Sequence, residues 1–166
     1  ISFDTPMQDL NALALSLNRV VLEEAKKKLT SHMGTTMVAL YFLRDKVYLC
    51  NVGDSRAFRV RDSAITQLSE DHVEDFSALG IHLHRKPSLS QYLGVDPEEF
   101  QIEPYIYQEE IIHGDCYLLC SDGLTDMVSQ DDIVNIVRSS SSSNETAEKL
   151  RDAAQKNGGR AAFIDA

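Results

Sequence analysis

The apolar positions change their period along the chain, and those changes divide it into elements. Leu10, Leu13, Leu17, Val20, Val21 and Leu29 recur at helical spacing, while Glu23, Glu24 and Lys26 to Lys28 lie mostly off that stripe. Thr5 can cap this helix and Pro6 suits its first position. Gly34 breaks the pattern, and "TTMVALYFL" (35–43) is β-branched and apolar enough for a buried strand. Arg44-Asp45 turns into "KVYLCNV" (46–52), Gly53-Asp54 into "SRAFRV" (55–60), and Asp62-Ser63 into "AITQL" (64–68). Strands joined by such short turns predict an antiparallel meander.

Residues 71–100 show no clear period and hold two Gly and two Pro, which predicts a short helix and loops forming a flap-like insert beside the sheet. Strands resume over 103–111 and 116–121, joined at His113-Gly114-Asp115. Two helices follow. Ser129 caps the first, whose Asp131 and Asp132 sit favourably in its opening turn. The run Ser139 to Ser143 reads as a flexible connector, Asn144 as the cap of the last helix, and Asn157-Gly158-Gly159 as its end. Helix, strands, insert, strands and helices in segregated blocks imply an α+β domain over residues 1–166, with helices covering one antiparallel sheet or a two-sheet sandwich.

Composition narrows the classes. Of 166 residues, 43% are hydrophobic and 25% charged, an ordinary globular balance with enough chain for a real core. The formal net charge of −10 argues against nucleic-acid binding, which needs a basic surface to replace counterions. Cys50, Cys116 and Cys120 have neither zinc-finger spacing nor a disulfide framework, and read as reduced core residues of a cytoplasmic protein. No apolar run approaches the ~20 residues of a membrane span, and no secretory signal is visible. The chain opens on Ile1 rather than Met, so a longer parent sequence is expected.

Against that background two acidic turns stand out. "NVGDSR" (51–56) and "LLCSDGLTD" (118–126) each place carboxylates where an apolar strand ends. Asp126 lies four residues beyond Asp122, so one helical turn brings the two to one side. If the two strands are neighbours, Asp54, Asp122 and Asp126 meet at one sheet edge, where a divalent cation would remove their mutual repulsion. Oxygen-only donors suit Mg²⁺ or Mn²⁺ better than Zn²⁺. The same residues also serve as plain turn formers. Other candidates are weaker. Ser121 lacks a Gly-x-Ser-x-Gly elbow, His82 and His84 have no evident third ligand, and His72 reads as a turn residue.

Five segments in order, "MGTT" (33–36), "NVGDSR" (51–56), "LSEDH" (68–72), "YLG" (92–94) and "LLCSDGLTD" (118–126), resemble the type-2C, metal-dependent protein serine/threonine phosphatases over about residues 33–133. The resemblance implies an α-β-β-α sandwich of antiparallel sheets flanked by helices, Mn²⁺ or Mg²⁺ as cofactor, and water-mediated hydrolysis of phosphoserine or phosphothreonine. It also implies a phosphoprotein substrate, with a protein kinase or its target among the partners. Asp122 matches the aspartate on the core metal pair; Asp54 and Asp126 match those that help hold a further ion. Arg56 is expected to brace its loop through an Asp pair. Two family features are absent. Nothing before Gly34 matches the phosphate-binding arginine or the acidic Asp-Gly motif, so no catalytic residue is identified. Ala161 and Ala162 stand where an Asp-Asn pair is expected, with Asp165 late. The sandwich is therefore expected to be incomplete at its N-terminus, with a sheet edge that a dimer would cover. The alternative is a catalytically dead pseudophosphatase that binds a phosphoprotein or partner.

Overall fold

The computed structural model describes residues 5–30, 33–74 and 87–158, and the backbone of 164–165. Helix α1 spans Pro6–Lys27, with Pro6 at its first turn and Lys26 and Lys27 in its last, where cations oppose the helix dipole. Its buried residues are Leu10, Ala14, Asn18 and Ala25, with Leu13, Leu17 and Val21 of the expected stripe packed against the same core; Val20 is 57% exposed, and Leu29, beyond the helix end, 95%. One polar residue joins that buried face. Asn18 is buried because its amide serves a loop: Oδ1 accepts from the Gly94 and Val95 N–H groups at 2.7 and 3.0 Å, and Nδ2 donates to the Val95 carbonyl at 2.9 Å. Three satisfied bonds make burial of an amide tolerable.

Strands β1 (Met37–Leu43) and β2 (Lys46–Val52) form a hairpin, and β5 (Tyr105–Glu110) pairs with the far side of β2. A second sheet runs in the order β4 (Ala64–Gln67), β3 (Arg56–Arg61), β6 (Cys116–Cys120), β7 (Ile164–Asp165). The expected meander is therefore wrong at one joint. β2 and β3 do not pair; the chain crosses between sheets at residues 53–55. Alternation within each strand looks the same in either arrangement, so period alone could not separate them.

The sheets face each other through Leu49 and Ala57, with Val38, Leu40, Tyr105, Tyr107, Tyr117 and Leu119 around them. Cys50 and Val52 turn the other way, onto Leu10 and Ala14 of α1. β2 is buried on both faces, hence its near-continuous apolar run. Beyond the second sheet lie α2 (Asp122–Thr125), α3 (Gln130–Ser139) and α4 (Ser143–Lys156). They bury Phe58, Leu118, Leu124, Ile133 and Leu150 to 1% exposure or less, each worth about 1.5–3 kcal/mol of apolar transfer. The four layers are helix, sheet, sheet, helix, the sandwich implied by the resemblance.

Two boundaries shift. The cap of α4 is Ser142, whose Oγ accepts from the Glu145 N–H at 3.2 Å, so the serine run is part of the cap and Asn144 lies inside the helix. Ser129 caps α3 as expected, accepting from the Asp132 N–H at 3.2 Å. Part of the expected flap, 75–86, lies outside the described residues. The rest is tied down by bridges Val73 to Leu89 and Thr35 to Leu93. Among the described residues β1, β5, β4 and β7 are the edge strands, and no helix is long and apolar enough to cross a membrane.

Candidate functional site

The antiparallel register of β3 and β6 decides where the two acidic motifs go. Arg56 faces Cys120 at the end of the paired strands. Asp54 lies two residues before Arg56 and Asp122 two beyond Cys120, so both leave the sheet at the same end. Asp122 opens α2 and Asp126 is its C-cap residue, with the Asp126 N–H donating to the Asp122 carbonyl at 2.9 Å. One short turn thus carries both residues.

The turn ahead of Asp54 is held from several sides. Gly53 has φ +106°, and a Cβ on it would lie 2.3 Å from the Thr36 Cγ2. Buried Asn51 donates through Nδ2 to the Gly53 carbonyl at 3.1 Å and the Glu70 carbonyl at 2.6 Å. The Gly53 N–H donates to His72 Nδ1 at 3.2 Å, and the His72 N–H returns a bond to the Gly53 carbonyl at 3.0 Å. Burial pushes the His72 pKa down, which favours the neutral ring whose Nδ1 can accept. The Thr36 and Ser55 hydroxyls share a hydrogen bond of 2.8 Å. "MGTT", "NVGDSR" and "LSEDH", far apart in the chain, are one hydrogen-bonded unit.

Arg56 joins that unit to α2. Its Nε donates to both Asp71 oxygens at 3.0 and 2.9 Å, its Nη2 also pairs with Asp71, and its Nη1 donates to Thr125 Oγ1 at 2.7 Å. The Asp71 hydrogen bond first, and then the fields of Asp71 and Asp126, raise the guanidinium pKa further. The brace foreseen for Arg56 is real, and its partner is Asp71. The Thr125 contact was not foreseen, because no spacing rule connects a strand to a helix 69 residues on.

The candidate ligands therefore share one end of the sandwich but form no finished cage. Among the described residues, no three His, Cys, Asp or Glu side chains are grouped to hold a metal ion. Asp165 pairs with Leu119, three residues inside the sheet from Asp122, roughly 10 Å at the strand rise of ~3.3 Å per residue. Ala161, Ala162, His82 and His84 lie outside the described residues. The thiols offer no nucleophile: burial pushes Cys50 and Cys120 up to about 12 and raises Cys116 as well. A cavity of about 550 Å³ between α3 and α4 is lined by Val128, Asp132, Ile136 and Asn157 and by none of the candidate carboxylates.

Comparison with known proteins settles the ancestry. The family model for Protein phosphatase 2C matches residues 2–75 and 82–161. The chain belongs to the protein phosphatase 2C family. Its resemblance to the serine/threonine phosphatase stp of Listeria welshimeri is 31% identity over 150 residues, 85% of this chain and 58% of that protein. The serine/threonine phosphatase PstP/Ppp of Mycobacterium tuberculosis superposes with a TM-score of 0.79 at 26% identity, covering 96% of this chain and 72% of that one. A structure of the PstP catalytic domain in complex with two manganese ions superposes with a TM-score of 0.70 at 26% identity, over 89% of this chain and 66% of the other. This protein phosphatase 2C chain thus spans a little over half the length of the Listeria relative.

Proposed function

We propose that this protein phosphatase 2C chain belongs to an enzyme that hydrolyses phosphoserine or phosphothreonine in proteins. The observation that carries the reading is the β3–β6 register, which brings Asp54 and Asp122 out at one end of the sheet. Asp122, with Asp54 and Asp126, would supply carboxylate oxygens to Mn²⁺ or Mg²⁺. Such an ion, when bound, lowers the pKa of water and neutralises phosphoryl oxygens. The chain's own contribution is orientation. Arg56 ties α2 to β3 through Asp71 and Thr125, and Asn51 and His72 hold the turn that presents Asp54.

A second reading rests on a different fact. Ala161 and Ala162 stand where the family resemblance places an Asp-Asn pair, which favours a module that binds a phosphoprotein without turnover. Hydrolysis of p-nitrophenyl phosphate, with and without Mn²⁺, in wild type and Asp122→Asn separates the two. The enzyme reading expects metal-dependent turnover that Asp122→Asn reduces at least ~100-fold, the scale on which single electrostatic groups contribute to catalysis. Equal rates with and without metal would eliminate it. Phosphopeptide binding without turnover would establish the second reading.

A further inference from the structure

Beside the carboxylate end lies an open groove of about 590 Å³, lined by Met33, Gly34, Thr35, Thr36, Leu89 and Tyr92. Its walls come from two segments that cross. Thr35 and Leu93 exchange both backbone hydrogen bonds, at 3.1 and 2.8 Å. The Tyr92 ring lies against Gly34, where a Cβ would come within 2.8 Å of Tyr92 Cδ2. Tyr92 is nevertheless 39% exposed, so one part of the ring is spent on Gly34 and another faces outward. None of the named lining residues is charged, in a molecule of net charge −10. The groove adjoins the acidic turn: Thr36 lines it and also bonds Ser55, the neighbour of Asp54.

We infer that this groove receives an apolar or aromatic side chain flanking the phosphorylated residue of a phosphopeptide whose phosphate lies at the Asp54–Asp122 end. This rests on the phosphoprotein reading above, in which a bound Mn²⁺ or Mg²⁺ would offset the carboxylate charge facing the phosphate, but not on turnover. Three properties select that occupant. An uncharged wall gives a Lys or Asp side chain no partner for its charge, so its desolvation goes uncompensated. Tyr92, Leu89 and Met33 supply the mixed aromatic and apolar surface that a large side chain covers well. The volume corresponds to a space about 8 Å across, the span of two to three residues of extended chain at ~3.3 Å each. The groove therefore has room for one large side chain and its immediate neighbours, and Thr36, bonded to Ser55 beside Asp54, sets it next to the carboxylate end.

The test is fluorescence anisotropy, in the presence of Mn²⁺, with short phosphoserine peptides that carry Phe, Gly or Glu beside the phosphoserine, and with the unphosphorylated Phe peptide, which is expected to bind more weakly than its phosphorylated form. Wild type is expected to bind the Phe phosphopeptide about tenfold more tightly than the Gly one, with the Glu peptide weakest. Tyr92→Ala is expected to reduce the Phe preference below about twofold. Gly34→Ala, which must displace the Tyr92 ring without removing it, is expected to reduce the preference as well; thermal melts confirm that each variant folds. Equal affinity for the Phe and Gly phosphopeptides, a preference that survives both substitutions, or no binding of any phosphopeptide overturns the inference. p-Nitrophenyl phosphate has no flanking residue. Loss of metal-dependent turnover on it therefore removes the enzyme reading alone, while a Tyr92-dependent peptide preference in the same protein upholds the groove.

Discussion

The turn that carries Asp54 depends on a residue with no side chain, and its tolerance can be worked out against an internal control. Gly53 and Gly114 both adopt left-handed backbone, at φ +106° and +95°. An alanine at either site bears the strain of that conformation, about 1–3 kcal/mol. Their surroundings differ. A Cβ at Gly114 meets nothing within 4 Å, whereas at Gly53 it lies 2.3 Å from Thr36 Cγ2, 2.6 Å from Thr36 Cβ and 3.2 Å from Thr36 Cα. The last contact is with backbone, and Thr36 is held by its bond to Ser55 and by the adjoining strand β1, so relief requires main-chain movement. Overpacking of that kind costs about 1–3 kcal/mol more. In a chain of this length each kcal/mol moves the melting temperature by about 2–4 °C. Strain is common to both variants and cancels in the difference. Gly53→Ala should therefore melt at least about 2 °C, and as much as about 12 °C, below Gly114→Ala. Circular dichroism melts of the two variants and wild type measure this directly. If the two variants melt within about 1 °C of each other, the close approach of Thr36 to the Asp54 turn is wrong.

Two further outcomes follow from the fold. Ser142→Ala should cost about 1 kcal/mol, or about 2–4 °C in the melt, by removing the cap of α4, while Asn144→Ala should change little; the reverse ranking would return the cap to Asn144. Asp115 gives a pH signature: the bidentate Arg61 guanidinium, at 2.6 and 2.8 Å, and the Ile112 N–H hold its carboxyl down to about 2. Its folded pKa lies below the unfolded value of ~3.9, so its contribution is complete above about pH 4 and disappears as pH falls from there through 2. Melting temperature measured against pH should therefore fall more steeply for wild type than for Asp115→Asn between pH 4 and 2; parallel curves would contradict the pairing.

Local order was largely legible in the chain. Pro6 at the start of α1, Ser129 at the start of α3, and the runs that became β1, β2, β3, β5 and β6 all carry their signals within a few neighbouring residues, because capping, period and turn chemistry act over one or two turns of chain. Asp54, Asp122 and Asp126 stood out for the same reason, as acidic residues at strand ends. What those signals cannot encode is which strand lies beside which. β2 and β3 look like hairpin partners, yet the turn at Gly53 sends them to different sheets, and only the pairing of β3 with β6 brings Asp54 and Asp122 to one end. Asn18 shows the same limit. Nothing local marks it for burial; it is buried because a loop 76 residues later bonds its amide. Arg56, Asp71 and Thr125, and the Gly34–Tyr92 groove, likewise exist only once distant segments have packed. Hydrogen bonds and close contacts between residues far apart in sequence leave no local period, so their positions were settled by tertiary structure alone.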